Sequence, residues 1–271
     1  MKRSVILPVL AFFWFCCFLP VARPVWSAGS DDKAVPVVAD LLLGGWLNGS
    51  WVDADTIASH VPAGKLYHAY GFDGPLFDLT GEAPKHESEG CEYWDISFGD
   101  GITAGESMLA VGSTTPGMPR RPRLQTGGLK PYEELVASYL KKNKISADPE
   151  IRQLVRVDLD GDGSEEVFVV AGNADASIPV FVKDTYSLVL FRRIVDGKVV
   201  TSVLREHYYD EDIEGEADSP NAYTFVFAVD INGDGVLEIL LKGRYYEGFW
   251  YEIHEFKNGE LKKVLSDGLG A

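Results

Sequence analysis

A nine-residue acidic segment occurs twice: Asp158-Leu159-Asp160-Gly161-Asp162-Gly163-Ser164-Glu165-Glu166 and Asp230-Ile231-Asn232-Gly233-Asp234-Gly235-Val236-Leu237-Glu238. In each, a carboxylate or amide oxygen stands at positions 1, 3 and 5, a backbone carbonyl (Ser164, Val236) is available at 7, and an acid stands at 9. Six or more oxygen ligands on a flexible loop suit calcium, whereas magnesium demands a strict octahedron and keeps its waters. The paired glycines permit the positive φ that curls a backbone around an ion. Asp-Gly and Asn-Gly are also ordinary turn pairs, so the competing expectation is a charged hairpin turn. Against it, carboxylates held a few ångströms apart repel by several kcal/mol at the effective dielectric of a protein surface unless a counter-ion is present. The expected ligand set is therefore Asp158, Asp160, Asp162, Ser164 and Glu166 in one loop and Asp230, Asn232, Asp234, Val236 and Glu238 in the other.

The segments that must hold these loops are apolar runs: Leu154 to Val157 and Val167 to Val170 around the first, Phe225 to Val229 and Ile239 to Leu241 around the second. Their β-branched and aromatic content predicts strands. An EF-hand needs flanking helices and a bidentate Glu at position 12, where this chain has Val169 and Leu241. The loop in its strand setting resembles the calcium sites of FG-GAP and VCBS repeat proteins, related to the integrin α-subunit propeller. The resemblance covers roughly the last half of the chain and implies calcium ligation by Asp158, Asp160, Asp162, Glu166, Asp230, Asn232, Asp234 and Glu238.

At the other end, Lys2 and Arg3 precede an apolar run from Val5 to Val21, followed by small residues at Ser27, Ala28 and Gly29. This order predicts a secretory signal over residues 1–27, cut after Ser27. An uncleaved anchor is the alternative, but an apolar length of about 17 residues is at the low edge for spanning a bilayer. Losing Lys2, Arg3 and Arg23 takes the formal charge from -16 to -19. Such acidity argues against nucleic-acid or anionic-membrane partners, and no stable membrane span is expected after cleavage. Cys91 is the one cysteine beyond the signal. An intramolecular disulfide is then impossible, so order must come from the core and, by hypothesis, from metal.

Residues 35–111 read as mainly β, rich in aromatics separated by Gly and Asp-Gly turns, with one short helix from Ala54 to Val61 capped by Asp53. Residues 112–128, dense in Gly, Pro, Ser and Thr and carrying Arg120, Arg121 and Arg123, read as an exposed linker or long loop. Residues 129–271 begin with an amphipathic helix: Pro131 in its first turn, Glu133 and Glu134 near the start, Lys141 and Lys142 near the end, and Tyr132, Leu135, Val136, Tyr139 and Leu140 on one face. Two repeats follow, each a calcium loop, an apolar strand and a hairpin, with turns expected at Asp196-Gly197 and Asn258-Gly259. Two units are too few to close a propeller. The expected fold class is thus mainly β: antiparallel units with two calcium loops and one clear helix, in incomplete propeller-like or sandwich packing.

No zinc-protease motif, nucleophile elbow, phosphate-binding Gly-rich loop or zinc cysteine pair is present, and His60, His68, His86, His207 and His254 are scattered. No catalytic residue is assigned. The run Tyr245 to Tyr251 offers either a stacking platform for sugars or core packing, and the acidic run Asp210 to Asp218 reads as a solvated loop. The functional expectation is an exported, periplasmic or extracellular, non-catalytic protein with two structural calcium loops. Its role would be as a binding or scaffold module whose partner is an envelope protein or a glycan. The alternatives are a carbohydrate-binding module or a secreted polysaccharide-acting hydrolase.

Overall fold

The computed structural model describes residues 33–99, 108–114, 116–178, 182–211 and 220–270. The signal reading over residues 1–27 and most of the acidic run 210–218 lie outside them. In chain order the elements are β1 (Lys33–Ala34), β2 (Pro36–Val38), β3 (Leu41–Leu42), β4 (Gly45–Leu47), β5 (Ser50–Val52), α1 (Ala54–Ala58), β6 (Lys65–Gly71), β7 (Gly74–Gly81), β8 (Lys85–Glu87), β9 (Tyr93–Asp95), β10 (Leu109–Val111) and β11 (Arg123–Leu124). They continue with α2 (Lys130–Lys142), β12 (Ile151–Val157), β13 (Glu166–Gly172), β14 (Thr185–Val195), β15 (Lys198–Tyr209), β16 (Ala222–Val229), β17 (Glu238–Tyr245), β18 (Gly248–Lys257) and β19 (Glu260–Gly270). The fold is mainly β, in four antiparallel sheets ordered β1-β4-β5, β7-β6-β10-β2-β3-β9-β8, β11-β12-β13-β14-β15 and β16-β17-β18-β19.

Side-chain alternation along the strands stacks these sheets into layers. On one face of β12 to β14, Leu154, Val167, Val169, Leu188 and Leu190 pack under α2, which contributes Tyr132, Val136 and Leu140. On the opposite face, Val155, Val157, Phe168, Val170, Val189 and Phe191 meet Phe225, Ile239, Leu241 and Phe256 of the four-stranded sheet. That sheet's other face, with Phe227, Val229, Leu240, Tyr251 and Ile253, packs against Val38, Leu41, Leu109 and Val111 of the seven-stranded sheet. Beyond it, Val37, Tyr67 and Ala69 cover α1 through Ile57 and Ala58. The N-terminal and C-terminal halves therefore share one core. Strand β16 serves both of its interfaces because the register shifts between Phe225 and Phe227, and the extra residue turns Phe227 to the face opposite Phe225.

Both hairpins occur at the expected turns. Asp196 (φ 51°) with Gly197 (φ 73°), and Asn258 (φ 53°) with Gly259 (φ 78°), have the two positive φ values of a type I′ turn. Helix α2 runs over the expected span, and Asn143 closes it by donating from its amide to the Tyr139 carbonyl at 3.0 Å. Helix α1 has Asp53 as its cap but ends at Ala58 rather than Val61. His60 and Val61 bond back three residues, to Ile57 and Ala58, and Pro62 disfavours helical backbone at the residue before it.

Candidate metal centre

Each acidic segment connects the first two strands of a four-strand meander: the first loop joins β12 to β13 and the second joins β16 to β17. Both strand pairs are in register up to the loop, at Val157↔Glu166 and Val229↔Glu238. Glycines at the expected positions take positive φ: Gly161 75°, Gly163 89°, Gly233 78° and Gly235 86°.

The internal hydrogen bonds match position by position. Asp158 accepts from Gly161 N–H at 2.7 Å and Gly163 N–H at 3.1 Å; Asp230 accepts from Gly233 N–H at 2.7 Å and Gly235 N–H at 2.9 Å. Asp160 accepts from Asp162 N–H (3.2 Å) and Asp162 from Ser164 N–H (2.6 Å), as Asn232 accepts from Asp234 N–H (3.0 Å) and Asp234 from Val236 N–H (2.8 Å). Finally Glu166 accepts from Leu159 N–H at 3.0 Å and Glu238 from Ile231 N–H at 2.8 Å. These bonds aim the position 1, 3 and 5 side chains inward. In the first loop, carboxylate oxygens of Asp158, Asp160 and Asp162 lie within 4.8 Å of one another. Oxygen ligands stand 2.3–2.6 Å from calcium, so two ligands on opposite sides of one ion are about 5 Å apart, and the trio fits one. Position 3 distinguishes the second loop: the Asn232 amide donates to Asp234 at 3.4 Å and Glu238 at 3.3 Å.

The position 9 acids are buried, Glu166 at 5% and Glu238 at 1% exposure, as is Asp230. Burial pushes Glu166 up to about 7, with the Asp160 and Asp162 charges adding to the rise against the Leu159 N–H bond. The same cause raises Asp230 to about 6 and Glu238 well above the usual carboxylate range. Each site therefore holds negative charge at a cost that a divalent cation would offset. Ser164 and Val236 occupy the position 7 backbone in these loops. The Asp158, Asp160 and Asp162 trio fits a hard, oxygen-ligated cation; Glu166 is not within that cluster, and among the described residues Asp230, Asp234 and Glu238 do not converge to the same distance.

The two loops are joined, a contact that their sequences do not announce. The Leu237 N–H donates to the Leu159 carbonyl at 2.9 Å, one loop to the other. Arg120 donates from Nε to the Asp158 carbonyl (2.6 Å) and from Nη2 to the carbonyls of Leu159 (2.8 Å) and Gly235 (2.7 Å). Its segment is also fixed at Gly117, which exchanges two backbone bonds with Asp230 (2.7 and 3.0 Å). At Arg123 and Leu124 it adds strand β11 alongside β12. Residues 116–128 thus run as a strap across both loops, and the arginines in a Gly- and Pro-rich stretch were the signal for it.

The other candidates have structural partners. Trp250 packs against the core between the two meanders, lies over Gly243, where a Cβ would strike its ring, and donates from its indole N–H to Glu252 at 3.1 Å. His254 and Arg205 both bond Glu252, His207 meets the Tyr223 hydroxyl at 2.9 Å, and His68 pairs with Asp78 at 2.7 Å. Among the described residues, no helix is long and apolar enough to cross a membrane. Comparisons with protein-family models, curated proteins and solved structures find no match to this chain.

Proposed function

We propose that this chain is an exported, non-catalytic binding module whose two acidic loops each hold a structural calcium ion. The observation that carries the reading is the bond-for-bond equivalence of the two loops, each with a buried Glu at position 9. Two independent turns of unlike context would not need the same five N–H contacts. The strand setting supports a structural ion over a switch, because the loops lie within meanders and no mobile helix flanks them. A site that binds only the folded state adds about 2.7 kcal/mol when free calcium is 100 times the dissociation constant. Thermal melts in calcium, magnesium and chelator test this: calcium should raise the midpoint by several degrees and magnesium much less, with an unchanged solution-scattering profile. Equal midpoints in calcium and chelator would make the loops ordinary turns. Export is tested separately, by N-terminal sequencing of protein recovered from the periplasm or medium.

A second reading, hydrolysis of a glycosidic bond, has one observation in its favour. Asp55 and Asp267 line a cavity of about 340 Å³ walled by Trp51 and Trp94, and burial together with the Asp55 charge raises Asp267. Release of reducing ends from a polysaccharide, abolished by Asp267→Asn, would support it.

A further inference from the structure

A cavity of about 880 Å³ opens between β16 and β17 on one side and β12 with the loop after β13 on the other. In a chain with 41 acidic and 25 basic residues, its charged lining is Arg152, Lys242 and Arg244 against the single acid Asp175. A second depression of about 540 Å³ shares Lys242 and Arg244 and adds Tyr245, Tyr246, Phe249 and one acid, Glu247. The two cations thus form a ridge between two hollows.

Strand register builds this ridge. Across β16, β17 and β18, Thr224, Lys242 and Tyr251 form one row and Ala222, Arg244 and Phe249 the next. Each row runs small residue, cation, aromatic, and residues two apart on a strand share a face about 7 Å apart. The small residues on edge strand β16 leave the cations open from that side. Lys242 is held in place with its ammonium 4.7 Å from the Phe249 ring centroid. Arg152 donates to the Ala174 carbonyl at 2.8 Å and its Nε stands 3.8 Å from the Glu150 carboxylate, which leaves some of its five donors for a ligand. Arg244 makes no hydrogen bond or ion pair among the described residues and is exposed.

We propose that this double hollow binds an acidic oligosaccharide, a sugar chain carrying carboxylates. The guanidinium groups supply forked donors for carboxylate. Tyr246 and Phe72 supply apolar surface for pyranose rings. Asp175, Ser177 and Thr224 supply the acceptors and hydroxyls that sugar hydroxyl groups need, and an acid among the cations suits a ligand that donates as well as accepts. A volume of this size lies within the range of small-ligand sites. The proposal rests on the binding-module reading and names its ligand class.

The test is calorimetric titration of the calcium-loaded protein with a trisaccharide of galacturonic acid, its methyl ester and triglutamate, each corrected for the same ligand titrated into calcium buffer. One trisaccharide should bind per chain, with the ester and the peptide roughly tenfold weaker or more, and Arg244→Ala and Arg152→Ala should each weaken the acid by roughly tenfold. Both arginines are exposed, so unchanged melting midpoints are expected and are measured alongside. No binding, equal binding of acid and ester, equal binding of triglutamate, or an unaffected Arg244→Ala protein would overturn the assignment. Calcium-dependent melting of the same samples separates this failure from failure of the calcium reading: sugar binding lost while that response persists rejects the ligand alone.

Discussion

Replacing Arg120 by alanine removes three charge-assisted hydrogen bonds at once, at 2.6, 2.8 and 2.7 Å, from carbonyls of both loops. Such bonds contribute roughly 1.5–3 kcal/mol each when the acceptor would otherwise be unsatisfied. Because the Gly235 contact is exposed and part of Arg120's shell is open, water recovers much of that, and the net loss is about 2–4 kcal/mol. For a domain of this size each kcal/mol moves the midpoint by about 2–4 °C, so Arg120→Ala should melt roughly 5–15 °C lower. Arg120→Lys should recover only a small part, since a single ammonium cannot reproduce the fork that spans two loops. Calcium affinity should fall at both sites together, because the arginine holds the backbone of positions 1 and 2 in one loop and position 6 in the other. Differential scanning calorimetry and calcium titration of the wild type, Arg120→Ala and Arg120→Lys measure both effects. A midpoint within 1 °C of wild type, or a change confined to one loop, would refute the view of the strap as a joint clamp.

Other perturbations follow from the same geometry. Burial pushes the Glu252 carboxyl up, but hydrogen bonds from His254 and Arg205 outweigh it and hold it at about 2, below its ordinary 4.5. A depressed carboxylate stabilises fully above the unfolded value, so about 3 kcal/mol should be lost as pH falls from 4.5 through 2, and acid denaturation of Glu252→Gln should lack that limb. In chelator-stripped protein the signs reverse: Glu166 at about 7 and Asp230 at about 6 keep protons that the unfolded chain releases. Stability of this form should therefore fall as pH rises from about 4.5 to 7, and calcium binding near pH 6 should release protons, measured as a dependence of the binding heat on the buffer. Asp158→Ala should lower the calcium-loaded midpoint more than Asn232→Ala, because it deletes a charged ligand that also accepts two backbone bonds. Paired thermal melts decide the order.

Features encoded locally were legible in the sequence. The loops, both type I′ hairpins and helix α2 depend on residues within a few positions of one another: glycines at positive φ, Asn-Gly and Asp-Gly pairs, and an apolar stripe ending at Asn143. What escaped was set by distant partners. Strands β2 and β10 have only three residues each and are set by long-range pairing, Leu109 standing opposite both Val38 and Tyr70, a pairing with no local pattern. The face change in β16 comes from one unpaired residue, Val226, in a run that reads as uniformly apolar. Arg120 reads as a solvated linker charge until the fold places two sets of carbonyls beside it. The candidate ligand residues were therefore visible, while the contact that unites the two loops was not.

Metal occupancy of the two loops is tested most directly by calorimetric titration of chelator-stripped protein. The geometry predicts two calcium ions per chain, with magnesium binding much more weakly, and one ion in an Asp158→Ala, Asp160→Ala protein. A stoichiometry of zero at millimolar calcium, in protein that is folded by circular dichroism, would contradict it.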